Sequence, residues 1–191
     1  NWLIRNNFRA ELGVHLSGMG IGIAFCALIA ELMLEQMNWD RQWYLFAIIG
    51  AVVAVPAWRW LPRPNPVETV RQQAQLKDAP PPRNFMTLLI LAYFCAGVSY
   101  VISATFIVAI AEKLPEVQGQ GNLVFLLVGL AATPACILWD RLTRRIGIIV
   151  ALVIAYLLHL AGTAIPLLLT GLAATVVSAL FYGATFIGIV S

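Results

Sequence analysis

The chain has 191 residues, of which 61% are hydrophobic and 11% charged, with a net charge of +3. Soluble domains carry about 25% charged residues, so this composition excludes a chain clothed in water and makes the bilayer its main solvent. The small net charge gives no reason to expect a nucleic-acid partner. Cys26, Cys95 and Cys136 are widely spaced inside apolar runs and read as packing residues, without disulfide or metal spacing.

Six apolar runs follow along the chain: Leu12 to Leu34, Trp43 to Leu61, Phe85 to Ala111, Asn122 to Trp139, Ile146 to Leu169, and Leu172 to Val190. A span needs about 20 apolar residues. Backbone polar groups in lipid must find partners within their own segment, so each run is expected to be a helix. The expected fold is all-α and polytopic, with six transmembrane helices. The chain begins at Asn1 and ends at Ser191 within an apolar run, so it is read as a piece of a longer protein.

The first run places Glu11, His15, Gly18 and Gly22 on one face. Gly18-x-x-x-Gly22 predicts close helix packing there. Glu11 and His15 are one turn apart and form a candidate proton relay, with a local hydrogen bond as the favoured alternative. Glu31 is the most deeply placed acid and is expected to snorkel. The second run is apolar from Leu45 to Ala57.

Between the second and third runs lies the one long polar stretch, Pro62 to Asn84. It contains Pro62, Pro64, Pro66 and Pro80-Pro81-Pro82, a linker composition.

In the third run, 100° per residue gathers Tyr93, Ala96, Gly97, Tyr100, Ser103 and Ala104 on one stripe. Leu91, Phe94, Val98 and Ile102 fall opposite and are expected to face lipid. The sixth run has a matching stripe of Gly171, Ala174, Thr175, Ser178, Tyr182 and Thr185. Such stripes suit either helix packing or a cavity wall. His159 stands mid-run with Tyr156 and Thr163 on its face and reads as an interhelical hydrogen-bond partner.

Lys and Arg set the orientation. Arg5, Arg9, Arg59, Arg63, Arg71, Lys77, Arg83, Arg141, Arg144 and Arg145 share one side if the six runs alternate, which leaves only Arg41 and Lys113 opposite. The positive side is expected to be cytoplasmic, with both chain ends inside and Glu35, Asp40, Glu112 and Glu116 outside.

Between the fourth and fifth runs stands L-W-D-R-L-T-R-R-I-G, Leu138 to Gly147. It resembles the cytoplasmic loop signature of the major facilitator superfamily, G-x-L-x-D-R-x-G-R-R. Leu138, Asp140, Arg141, Arg144 and Arg145 fit, while Cys136 and Thr143 stand at its glycine positions. Gly97-Val98-Ser99-Tyr100 and the stretch Tyr182 to Gly188 are similar to the bacterial YbfB/YjiJ-type branch.

That resemblance implies a twelve-helix carrier of which these runs are helices five to ten. Residues 1–61 would close the N-terminal half, 62–84 form the cytoplasmic linker, and 85–191 open the C-terminal half. It also implies a bacterial inner-membrane, multi-pass secondary transporter working by alternating access. The stripes of the third and sixth runs would line its pathway. The implied substrate-cavity residues are Tyr93, Gly97, Tyr100, Ser103, Ser178, Tyr182 and Thr185. Asp140, Arg141, Arg144 and Arg145 would form a cytoplasmic gating loop.

The stripes carry hydroxyls and rings without fixed charge, which suits a neutral or amphiphilic small molecule. The expected partners are lipid, that substrate, a coupling proton if the carrier uses one, and the remaining helices. No cofactor or metal is expected. An intramembrane enzyme is the rival class, but G-x-S-x-G, H-E-x-x-H and a mid-membrane aspartate pair are all missing from the sequence. A non-transporting membrane scaffold is the other alternative.

Overall fold

The structure, a computed structural model, describes residues 12–61 and 82–190. Residues 1–11, 62–81 and 191 lie outside the described residues, Glu11 and most of the linker among them; Arg83 and Asn84, placed in the linker from the sequence, open the third helix. Six helices follow in order: α1 Leu12–Met33, α2 Trp39–Trp60, α3 Arg83–Lys113, α4 Gly121–Ile146, α5 Ile148–Leu168 and α6 Leu172–Val190. All six are long and apolar enough to cross a membrane, and the described residues contain no strand.

Two helices are longer than their apolar runs suggest. α3 has 31 residues, roughly 46 Å at 1.5 Å per residue. α4 continues seven residues past Trp139, so Asp140, Arg141, Arg144 and Arg145 lie on its last turns rather than on a loop. The turn to α5 is Gly147 alone, at φ 88°. Its N–H bonds to Thr143 O, and its own carbonyl accepts from Ala151. A left-handed residue that both ends one helix and starts the next is a position for glycine.

α6 is the most deeply buried of the six helices. Tyr182, Ile187 and Thr185 are almost wholly enclosed. Its glycines admit the neighbouring helices: a methyl group on Gly183 would overlap the Val128 backbone of α4, and one on Gly188 would overlap the Trp139 ring. That ring donates from Nε1 to Ala184 O at 2.6 Å. On the other side, a methyl on Gly162 of α5 would stand 2.8 Å from the Phe181 Cβ.

Pro166 brings a hydrogen bond between α5 and α6. Proline has no N–H, so it leaves the carbonyl four residues earlier without its helical partner. That carbonyl belongs to Gly162, and Ser178 Oγ of α6 donates to it at 2.7 Å. In lipid such a carbonyl would otherwise stand open, which costs free energy.

α1 packs along α4 through Gly13, Ser17, Gly20, Ala24 and Ala27, spaced four and three residues alternately. A methyl on Gly20 would overlap Thr133, and one on Gly129 would overlap Ala24. The expectation for Gly18 and Gly22 is overturned: both are exposed, with nothing within 4 Å of either added methyl. In lipid there is no hydrophobic gradient to choose a face, so the seam is set by which stripe permits the closest backbone approach. The stripe of five small side chains from Gly13 to Ala27 permits more of it than one small-xxx-small pair. α2 buries none of its residues.

Candidate functional site

α3 is held firmly at one end and loosely along the rest. At the Lys113 end, Ala111 and Val117 are fully buried. Glu112 receives the N–H groups of Gly119 (2.8 Å) and Gly121 (2.9 Å), which caps the start of α4. Glu116 receives the N–H of Leu172 at 2.8 Å and caps α6. Free N–H groups and the helix dipole make a helix start favourable for a carboxylate. The sequence analysis treated both acids only as charges on the outer side.

Away from that end α3 buries no residue fully, and a cavity lies on each side of it. The larger, about 540 Å³, is bounded by α3, α5 and α6. Its wall includes Phe94, Val98, Ile102, Ser99 and Ser103 from α3, Thr163 and Pro166 from α5, and Thr175, Ser178 and Tyr182 from α6. The smaller, about 220 Å³, is lined by Tyr93, Ala96, Gly97, Tyr100, His159 and Phe186.

The seven residues expected to share one cavity are therefore divided. Ser103, Ser178 and Tyr182 border the larger space; Tyr93, Gly97 and Tyr100 border the smaller. Thr185 borders neither and is buried beneath His159. Phe94, Val98 and Ile102, expected to face lipid, are exposed and also border the larger cavity along α3. The inward line of α3 runs through Ala92, Ala96, Ser99 and Ser103. It is turned by about one residue from the stripe centred on Tyr100, which moves one flank of that stripe into each cavity.

Between the cavities stands a polar and aromatic cluster. His159 is 4% exposed. Its Nδ1 lies 3.0 Å from Thr185 Oγ1 and its Nε2 3.0 Å from Ser99 Oγ. Thr185 has one hydroxyl hydrogen, which it gives to Phe181 O at 2.7 Å. With its hydrogen assigned to this shorter contact, it accepts from the ring, which assigns the imidazole proton to Nδ1. In the neutral imidazole Nε2 is then an acceptor, and Ser99 donates to it. His159 thus ties α3, α5 and α6 together. The Tyr182 ring lies 5.5 Å from it and stacks on Phe186 at 5.4 Å. Tyr182 gives its phenolic hydrogen to Tyr100 O at 3.1 Å.

Of the candidate relay, Glu11 lies outside the described residues. His15 is exposed on α1 and has no hydrogen-bond partner among them. Glu31 is half-buried, and its Oε2 is without a hydrogen-bond partner among the described residues. Asp140 pairs with Arg144 one turn later on α4, at 2.8 Å. The Asp140 Cβ would lie 3.3 Å from a methyl on Gly13, so this ion pair sits against the start of α1. The described residues hold no cluster of three metal-ligating side chains.

Six membrane-length helices, packed through small residues and ending α4 in a D-R-x-x-R-R turn, describe a polytopic membrane protein with the major facilitator signature. The family model described as "Uncharacterised MFS-type transporter YbfB" matches residues 5–191. The chain belongs to this YbfB-type family of major facilitator superfamily transporters. It is accordingly an integral, multi-pass membrane protein of a transporter family. No curated protein and no solved structure matches it.

Proposed function

We propose that the chain is part of a secondary active transporter whose substrate is a small neutral or amphiphilic molecule, held in the larger cavity between α3, α5 and α6. One observation carries this reading. The cavity, about 540 Å³, is walled by apolar and aromatic side chains with several hydroxyls and no charged side chain. Its volume is within the range of ligand sites, roughly 300–1,000 Å³. A fixed charge would be expensive in lipid and would demand an opposite charge on the substrate.

Alternating access follows from the family layout, with residues 1–61 and 85–191 in opposite halves. The basic ends of the helices are then cytoplasmic, and the membrane is a bacterial inner membrane. Asp140 and the arginines after it gate that side, and the remaining helices complete the pathway.

The test fills the cavity. In the full-length carrier, Ser103→Trp is expected to abolish transport of neutral and amphiphilic compounds, measured per folded molecule. Val101→Trp, on an exposed side of the same helix, is expected to leave it intact. Unchanged transport by Ser103→Trp would remove the cavity as the substrate site.

A further inference from the structure

The hydroxyls around the larger cavity share one property. Ser178 gives its hydrogen to Gly162 O, Thr175 to Gly171 O at 3.1 Å, and Thr163 to the carbonyls of His159 and Leu160 at 3.1 and 3.0 Å. Tyr182 gives its hydrogen to Tyr100 O. Ser99 gives its hydrogen to His159 Nε2, because Thr185 fixes the proton of that ring on Nδ1. A hydroxyl has one hydrogen and two lone pairs. Each of these five has its hydrogen committed and retains only acceptor capacity. Among the described lining residues, Ser103 is the one hydroxyl without a hydrogen-bond partner and so keeps a hydrogen to offer. The helical backbone N–H groups are engaged within their own helices.

We infer that the cavity selects ligands that donate hydrogen bonds: an apolar body bearing hydroxyl, amine or amide N–H groups, in preference to acceptor-only or anionic molecules of the same shape. This inference rests on the cavity being the substrate site. The physical reason is the asymmetry of buried hydrogen bonding. A donor on the ligand meets lone pairs in several directions. A carboxylate or ether oxygen leaves water and finds only the Ser103 hydrogen, the other hydroxyls pointing theirs elsewhere, so most of its acceptor capacity goes unmet. His159 is a positioning residue here. It holds Ser99 as an acceptor toward the cavity, packs behind the Tyr182 ring, and is not itself part of the wall.

The test uses Cys95, which lines the same cavity, in the full-length protein with its other cysteines replaced by alanine and reconstituted in liposomes. The rate of Cys95 alkylation by N-ethylmaleimide is followed with three probes sharing one aromatic body: 2-naphthol, 2-methoxynaphthalene and 2-naphthoate. Their membrane concentrations are equalised by measured partition. 2-Naphthol is expected to protect Cys95 at a concentration about 2- to 12-fold lower than 2-methoxynaphthalene, the range of one net hydrogen bond. 2-Naphthoate is expected to protect least. In Ser99→Ala/Thr175→Val the difference between the first two should shrink toward none.

Equal protection by 2-naphthol and 2-methoxynaphthalene overturns the donor preference while leaving the cavity as a binding site. Protection by none of the three, as in a groove filled by a neighbouring helix, removes the site and the preference together. An undiminished preference in the double variant overturns the assignment of these hydroxyls as the acceptors. The comparison of probes on the unaltered wall needs only the cysteine-replaced protein to fold.

Discussion

Tyr182 on α6 donates its phenolic hydrogen to the backbone carbonyl of Tyr100 on α3, 3.1 Å away, and the Tyr100 ring lies 5.3 Å from Phe186. The two tyrosines, each near the middle of a polar stripe, have different work. The Tyr182 hydroxyl ties α6 to the loosely held α3. The Tyr100 hydroxyl has no partner among the described residues. Tyr182→Phe is expected to lower stability by about 0.5–1.5 kcal/mol, the net worth of one hydrogen bond. Tyr100→Phe should leave it unchanged. Thermal unfolding of purified protein in detergent separates them, and an equal shift in both would refute the distinction.

The seam between α1 and α4 gives a sharper contrast among glycines of one helix. Gly20→Ala places a methyl into Thr133, whereas Gly18→Ala and Gly22→Ala meet open space. The first is expected to cost about 1–3 kcal/mol by overpacking. The other two should be neutral or stabilise by up to about 1 kcal/mol through helix propensity. A melting series of the three variants checks this, and comparable losses in all would place the seam on the Gly18 face after all.

The acidic caps should matter more than exposed charges usually do. Glu116→Ala leaves the Leu172 N–H without its carboxylate. It is expected to destabilise by about 1 kcal/mol, a typical N-cap loss. Glu116→Gln retains an acceptor oxygen and should recover part of the loss. Glu112→Ala, which strips Gly119 and Gly121, should shift unfolding in the same direction. Indifference of the melting temperature to Glu116→Ala would show that water replaces the cap at no cost.

Asp140 and Arg144 form an exposed ion pair one turn apart. Pairs of this kind contribute only about 0.3–0.5 kcal/mol. Asp140→Asn is therefore expected to leave thermal stability almost unchanged while reducing transport in the full-length carrier. Transport equal to the unaltered protein would argue that the pair only anchors the helix end.

Orientation is open to a labelling experiment on a cysteine-free background. Gln118→Cys, in the turn between α3 and α4, is expected to react with an impermeant maleimide from outside intact cells. Ile148→Cys, beside the Gly147 turn, is expected to react only after permeabilisation. The reverse pattern would invert the topology argued from the basic residues.

The number of helices and the positions of most of their ends were legible in the sequence. Leu172–Val190 was placed to the residue, and Leu12–Met33 to within one. Those features depend on a one-dimensional property, the length of chain that can be hidden from water. The YbfB-type family was legible too, because the D-R-x-x-R-R turn and the Gly97 and Gly183 segments carry it in residue order. Sequence hydropathy could not show that α4 carries its charged residues on helical turns as far as Ile146.

Tertiary structure alone decided which faces meet. The spacing favoured Gly18 and Gly22 for packing, yet Gly13 and Gly20 meet α4, and Phe94 and Val98, exposed as expected, also border a cavity. Lipid and helix interiors are equally apolar, so no burial energy separates such faces. Shape does: α4 accepts the stripe with the smallest side chains, and α3 turns by about one residue to hang Ser99 on His159. The same packing determined where each hydroxyl sends its hydrogen. Composition counts hydroxyls, but only the neighbouring helix decides whether one remains a donor.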